Sequence, residues 1–395
     1  MAGQFASMFG SSVVAYAIIW HITLKTGSGA QYAWLLIAAQ LPMALTTIPG
    51  GVWADRYWRK ALMIGADTAV AVITVLLALI MLAGHEELWL IAVALMLRGL
   101  FGGIQQPAAG AALPQIVPTE HLLRVNSLNQ SLMAVIFIAA PALSAVLLQY
   151  VPLGMILFVD VTTAVIGIGL TLLVAIPRLS AESIVVPQGV TGYFRHVGEA
   201  ARTLFSHPGL RRLTILFAFI IVIVIPFAQM TPVFVVRLFG RESWKLAGVE
   251  ILWSVGMIVG GLALAAWGGF KNRMSMMLLA CGVISVMTMV MGFTPNIWCF
   301  FVVMFICGFA LTMMNTPATT AIQEIIPEAM MGRVMSLITL MNTLGGPIGM
   351  AIVGPLSDRL NIAWMALVGG GAGLLFTLFW LLRGGPGAKL VALDK

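Results

Sequence analysis

Of 395 residues, 61% are hydrophobic and only 9% are charged, a balance that excludes an ordinary soluble globular domain. The formal net charge of +7 would suit a nucleic-acid binder, but the cations fall in gaps between apolar runs, where positive-inside topology accounts for them. Cys281, Cys299 and Cys307 lie in apolar runs without metal-ligand spacing and read as small packing residues.

A bilayer-spanning helix needs about 20 apolar residues. Twelve such runs follow in chain order, at 2–24, 32–53, 61–83, 88–107, 129–149, 154–176, 212–235, 246–268, 274–293, 297–316, 334–356 and 363–382. Runs this long satisfy their backbone in lipid as helices, whereas a barrel would show short alternating strands. The first run lacks a preceding basic segment and a small-residue cleavage site, so it is expected to remain as a span. An even number of spans places both termini on one side. The gaps holding Arg56, Arg59, Lys60, Arg124, Arg178 and Arg333 carry the greater share of Lys and Arg, by about three to one, which makes that side cytoplasmic.

Between the second and third runs lies Gly50-Gly51-Val52-Trp53-Ala54-Asp55-Arg56-Tyr57-Trp58-Arg59-Lys60. The glycines permit close helix approach, and an acid followed by three cations fills the gap. Further along, Asp67 sits near the cytoplasmic third of the third run and Arg98 about ten residues inside the fourth, roughly 15 Å deep at about 1.5 Å per residue. A buried arginine needs a partner or a wet cavity; a structural ion pair is the alternative to a working site. Asp160 lies inside the sixth run. Glu250 lies near the outer end of the eighth, where an interfacial position is the competing reading. A carboxyl group in a low-dielectric cavity binds a proton near neutral pH and releases it once hydrated. The polar stretch 177–211 divides the runs six and six. Within it, Tyr193, Phe194, Val197, Ala201, Leu204 and Phe205 share one helical face, which reads as an interfacial helix or as a partly ordered linker.

The halves repeat. Pro118, Arg124, Val125, Ser127 and Leu128 recur as Pro327, Arg333, Val334, Ser336 and Leu337 at an offset of 209 residues, and Gly50-Gly51 recurs as Gly260-Gly261 at an offset of 210. Copies in one orientation are parallel repeats about an axis along the membrane normal. The expected organisation is a six-helix bundle over 1–176, a cytoplasmic linker over 177–211, and a second six-helix bundle with a short tail over 212–395. After Gly260-Gly261 the second copy has no Asp, so gating is expected to differ between the halves.

The segment 50–60 resembles the loop between the second and third helices of the major facilitator superfamily, and Arg98-Gly99-Leu100-Phe101-Gly102-Gly103 is similar to its fourth-helix arginine motif. Within the superfamily the chain most resembles bacterial macrolide-efflux and related drug exporters, through Lys25-Thr26-Gly27-Ser28, Met63-Ile64-Gly65-Ala66-Asp67, Ile176-Pro177-Arg178 and Gly332-Arg333-Val334. The resemblance implies an all-α membrane protein of twelve transmembrane helices in two six-helix pseudo-repeats. It implies a gate built from Gly50, Gly51, Asp55, Arg56 and Arg59, which Asp67 is placed to brace by its depth in the third run, and a proton-coupling role for Arg98, beside which Asp160 and Glu250 are the proton-site candidates as acids inside apolar runs. Pro141 falls where related antiporters carry a Gly-Pro motif, but without the flanking glycines. Tyr16, Trp20, Gln105, Gln229, Asn315 and Asn342 are candidate cavity residues; each also reads as a helix–helix hydrogen-bonding or packing residue.

The expected activity is proton-antiport export of hydrophobic or amphipathic small molecules across the bacterial cytoplasmic (inner) membrane. A siderophore or metabolite exporter and a lipid flippase of the same fold are the alternatives. The expected partners are that substrate, protons and membrane lipids, with no nucleic acid, and the chain is expected to act as a monomer. No phosphate-cradling loop and no metal-ligand spacing occur in the sequence, so neither an enzyme, a cofactor nor a metal is expected.

Overall fold

Apolar runs with no water to bond their backbones fold as helices, and the regular structure among the described residues is helical. It is a computed structural model that describes residues 2–118, 121–175, 177, 214–215, 218–219, 225–270, 272–325 and 328–384. The side chains of Asp55 and Asn342 lie outside that description, as does the stretch 193–205 expected to lie at the interface. Among the described residues are thirteen helices and no strand: α1 (Ala2–Thr26), α2 (Gly29–Arg56), α3 (Arg59–Leu82), α4 (Leu88–Ile116), α5 (Leu122–Tyr150), α6 (Leu153–Leu173), α7 (Ile225–Gln229), α8 (Thr231–Phe239), α9 (Ser243–Trp267), α10 (Arg273–Met291), α11 (Ile297–Ile325), α12 (Glu328–Arg359) and α13 (Ile362–Gly384). Nine of the described helices are long and apolar enough to cross a membrane.

Several helices extend beyond the apolar runs that predict them, α4 to Ile116 and α11 to Ile325. Hydropathy detects only the part facing hydrocarbon, while helical hydrogen bonding continues into the polar interface. The described part of the seventh run departs from a single span. Its end is divided into α7 and α8 at Met230, between Pro226 and Pro232. Pro232 lacks an N–H and its ring crowds the carbonyl of Ala228, and the Thr231 hydroxyl donates to that carbonyl. The first copy of the proline-arginine motif stands at a helix start, with Pro118 ahead of α5.

Trp34, Trp89, Trp244, Trp298 and Trp364 are exposed in the first two turns of α2, α4, α9, α11 and α13, and Trp53 and Trp267 are exposed near the other ends of α2 and α9. Tryptophan concentrates at membrane–water interfaces. Along α2, Trp34 and Trp53 stand roughly 28 Å apart at about 1.5 Å per residue, close to the ≈30 Å hydrocarbon core. Between such belts the helices turn leucines outward, among them Leu76, Leu170 and Leu262.

The helices group as two compact units, α1–α6 in the first and α7–α13 in the second, with the turn Gly27–Ala30 grouping with the second. In the first, α1 packs on α5 and α6, and α3 packs on α4 and α6. Its core joins Val14, Ile18, Leu35, Leu77, Leu95 and Leu157. In the second, α11 packs on α9 and α10, and α10 packs on α13, around Met277, Cys281, Ile284 and Met314. Cys299, by contrast, is exposed.

Candidate functional site

Glycines set the distances between the helices of the first unit. A Cβ at Gly3 would lie 2.8 Å from the Gly167 carbonyl oxygen, and one at Gly10 would lie 1.8 Å from Thr163 Oγ1, so α1 and α6 meet almost backbone to backbone. On the other side, a Cβ at Gly99 would lie 2.3 Å from the Ala39 oxygen and one at Gly103 2.5 Å from the Met43 oxygen, which holds α4 against α2. In lipid, where apolar association is weak, such close packing is what holds helices together. Its consequence here is to bring polar side chains from four helices within hydrogen-bonding range.

Asp160 on α6 is fully buried. Its Oδ1 accepts from Ser11 Oγ of α1 at 2.7 Å, and its Oδ2 pairs with the Arg98 guanidinium of α4. Thr74 Oγ1 of α3 lies 3.1 Å from Oδ2 and 2.8 Å from the Val70 carbonyl oxygen, and it also accepts from Arg98. The hydroxyl has one proton, so it donates to the carboxylate or to its own helix, but not to both. The Arg98 side chain is 9% exposed and that of Asp160 1%, so the pair is cut off from water and depends on its own hydrogen bonds.

A second carboxyl group lies on the same stripe. Asp67 Oδ1 accepts from Ser7 Oγ of α1 and from Gln105 Nε2 of α4, both at 3.2 Å. Ser7 and Ser11 are one turn apart on α1, while Asp67 and Thr74, like Arg98 and Gln105, are two turns apart on their helices. These spacings place both carboxyl groups on one face of each supporting helix. Asp67, expected beside the charged segment, and Gln105, expected in the cavity, are therefore direct partners.

The charged segment is bound to helix ends. Arg59 donates through Nε to the Ala54 oxygen at 2.9 Å and through Nη1 to the Ala111 oxygen at 2.7 Å. Lys60 Nζ donates to the Leu172 and Val174 oxygens, each at 2.8 Å. At Ala54, Leu172 and Val174 the cations satisfy helix-end carbonyls and complement the helix dipole, while Ala111 lies further inside α4. Arg56 is exposed. Gly50 is a close-contact position, where a Cβ would lie 2.6 Å from the Gly103 oxygen, whereas Gly51 has nothing within 4 Å of a Cβ.

The remaining candidates do not join this cluster. Glu250 on α9 is half-buried and has no hydrogen-bond or ion-pair partner among the described residues. Trp20 is buried with its ring 5.1 Å from that of Tyr16. Gln229 Oε1 is buried without a hydrogen-bond partner among the described residues, and Asn315 is exposed.

The structure also assembles polar groups outside the candidate site residues, drawing in Lys25 and Ser28 of the Lys25-Thr26-Gly27-Ser28 motif. In the second unit, Asp358 in the last turn of α12 accepts from Ser28 Oγ at 2.7 Å and from the N–H groups of Gly29 at 2.8 Å and Ala30 at 3.1 Å. Arg237 pairs with the same carboxylate and donates to the oxygens of Gly27 and Ser357. In the first unit, Glu86 accepts from Lys25 at 2.7 Å with His21 at 3.6 Å. Among residues this polar, no apolar periodicity announces a contact.

Hydrogen bonding from Lys25 holds the Glu86 carboxyl below its ordinary 4.5. At Asp358, beyond the predicted apolar run, burial pushes upward, but the bonds from Ser28, Gly29, Ala30 and Arg237 outweigh it and hold the carboxyl below 3.8. A depressed carboxyl contributes stability that is present above its unfolded pKa and lost as pH falls through the folded one. Asp358→Asn is therefore expected to lower the thermal unfolding midpoint at neutral pH, with the deficit against wild type closing below pH 3.8. Thermal scans across that range check it. A deficit that grew on acidification would contradict the sign. Glu86→Gln should show a smaller deficit, because the pair is exposed and screened.

Helices of membrane-crossing length, close glycine contacts and a buried ion pair within one unit are the architecture of a multi-pass membrane transporter. The chain belongs to the Major Facilitator Superfamily, whose family model matches residues 1–350. It is 28% identical over 371 residues to macrolide efflux protein A of Streptococcus pyogenes, covering 93% of this chain and 91% of that one. It is 24% identical over 376 residues to the multidrug efflux pump Tap of Mycobacterium bovis, covering 91% and 86%. The fold is similar to the crystal structure of the nucleoside transporter NupG, with a TM-score of 0.69 at 13% identity over 97% of this chain and 99% of that one.

Proposed function

We propose that this protein exports hydrophobic or amphipathic small molecules, macrolide-like compounds among them, in exchange for protons by alternating access. The observation that carries the reading is the Arg98–Asp160 pair, buried among Ser11 and Thr74 where a structural role alone would be served as well by apolar residues. The printed names of its relatives, macrolide efflux protein A and multidrug efflux pump Tap, support export and the substrate class. In this reading Asp160, Arg98 and Glu250 handle protons, and Tyr16, Gln229, Asn315 and Asn342 face substrate. Asp55, Arg56 and Arg59 govern access from the cytoplasmic side of a bacterial inner membrane. Both termini are cytoplasmic, the halves are 1–176 and 212–395, and the working unit is a monomer.

Inside-out membrane vesicles carrying the chain test this. With an imposed proton gradient, they are expected to accumulate a radiolabelled macrolide, and the accumulated compound should leave when the gradient is collapsed. Accumulation that survives collapse of both the pH gradient and the membrane potential would overturn proton coupling. A compound panel showing no gradient-driven uptake of any amphipathic drug would overturn the substrate class.

A further inference from the structure

Two buried carboxyl groups and one cation share the interior of the first unit. Asp160 is fully buried and Asp67 is 9% exposed. Arg98 pairs with Asp160, while the hydrogen bonds to Asp67 come from Ser7 and Gln105, both neutral. Across α1, α3, α4 and α6, the described charged groups facing this cluster are Arg98 and the two carboxyls. Lys60, the next cation along α3, is committed to the Leu172 and Val174 carbonyls. With both carboxyls ionised the cluster would carry one uncompensated negative charge in a water-poor interior, a state that buried groups avoid. One proton makes it neutral.

We propose that Asp67 and Asp160 share a single exchangeable proton, carried by Asp67 while Arg98 is paired with Asp160. The inference rests on the proton-coupled reading above and adds a second proton station to it. The geometry supplies the connection. Ser7 and Ser11 stand one turn apart on α1, roughly 6 Å along the axis, and each bonds one of the two carboxyl groups. When the proton leaves Asp67, it leaves a carboxylate there and arrives on a carboxylate oxygen of Asp160, making that group neutral. Arg98 then loses its anionic partner at Asp160 and gains one at Asp67, and the charge of the cluster is unchanged. Thr74 and Gln105 mark the two ends of this exchange, since Arg98 lies two turns from Gln105 on α4. Movement of a guanidinium between two carboxyls would couple a proton hop to a shift of α4 against α3 and α6.

The test uses the full chain in lipid vesicles, without substrate, in a Glu250→Gln background that removes the half-buried carboxyl group of α9. Infrared difference spectra in light and heavy water are expected to show one carboxylic-acid C=O band at neutral pH. Asp67→Asn should abolish it. Asp160→Asn should abolish it as well, because Arg98 is then free to balance the Asp67 carboxylate. Asp67→Glu should restore it at a shifted frequency. Each variant is checked for a helical circular dichroism spectrum and a single elution peak. If Asp160→Asn does not fold, Arg98→Met takes its place: without the cation both carboxyls must hold protons, so the band should gain intensity, and an unchanged band overturns the shared proton. A band that survives Asp67→Asn, or one that is lost in Asp67→Asn but unaffected by Asp160→Asn, overturns the shared proton. Vesicle transport by the wild-type chain, in which Glu250 is kept, separates the two readings. Gradient-driven export with no such band defeats the inference alone, and the expected bands without gradient-driven export defeat the functional proposal.

Discussion

Asp160→Asn is expected to abolish gradient-driven export and to destabilise the protein by up to about 3–5 kcal/mol, the usual cost of breaking a buried ion pair, less whatever the Asp67 carboxylate returns by balancing Arg98. Arg98→Met should do the same. The informative variant is the double replacement Arg98→Met/Asp160→Leu. Replacing a buried ion pair by apolar residues of similar volume is often neutral or stabilising, so the double variant should recover the thermal midpoint lost by either single change. It should not recover export. Recovery of both would make the pair a packing device, and recovery of neither would show that Ser11 and Thr74 still require a charged partner. Thermal unfolding of purified protein and drug accumulation in inside-out vesicles give the two readouts.

Gly50→Ala and Gly51→Ala, adjacent and chemically identical changes, should have opposite effects. A Cβ at Gly50 would lie 2.6 Å from the Gly103 oxygen and 3.0 Å from the Ile104 Cα, both backbone atoms that move only if α2 and α4 separate. Overpacking of this kind costs about 1–3 kcal/mol. At Gly51 the added methyl meets nothing within 4 Å, and alanine in a helix is favoured over glycine by about 0.5–1 kcal/mol. The second copy makes the same distinction: a Cβ at Gly260 would lie 2.9 Å from the Phe309 oxygen, while Gly261 has only Thr312 Cγ2 at 3.9 Å. Gly260→Ala should therefore behave like Gly50→Ala and Gly261→Ala like Gly51→Ala, read as shifts of the thermal midpoint. A loss at Gly51 equal to that at Gly50 would show that the pair matters for backbone freedom instead of close packing.

The helical architecture was legible because hydropathy reports directly on the solvent a segment faces. The duplicated glycine pair was legible too, although only the structure separates the packed member from the open one. Arg98 and Asp160 each stood out as costly residues inside apolar runs, but nothing in a linear pattern joins positions 62 residues apart. Ser7, Ser11 and Thr74 gave no signal, since a hydroxyl in a membrane helix always has a carbonyl acceptor on the preceding turn, as Thr74 has in Val70. The cations of the charged segment were visible, but their acceptors are backbone carbonyls, which every residue carries. Asp67 was assigned to that segment by its depth in the third run, yet helix rotation points it at Ser7 and Gln105. The division at Met230 was signalled by Pro226 and Pro232, which a hydropathy reading alone does not weigh.

The acceptors of Arg59 and Lys60 also set an order of assembly. Ala111 lies 52 residues after Arg59, and Leu172 lies 112 residues after Lys60. At a synthesis rate of about 5–20 residues per second, Lys60 leaves the ribosome roughly 5–20 s before the carbonyls that will hold it. The third helix is tied to the sixth only once the sixth has been made, so closure of the first bundle waits on its last helix.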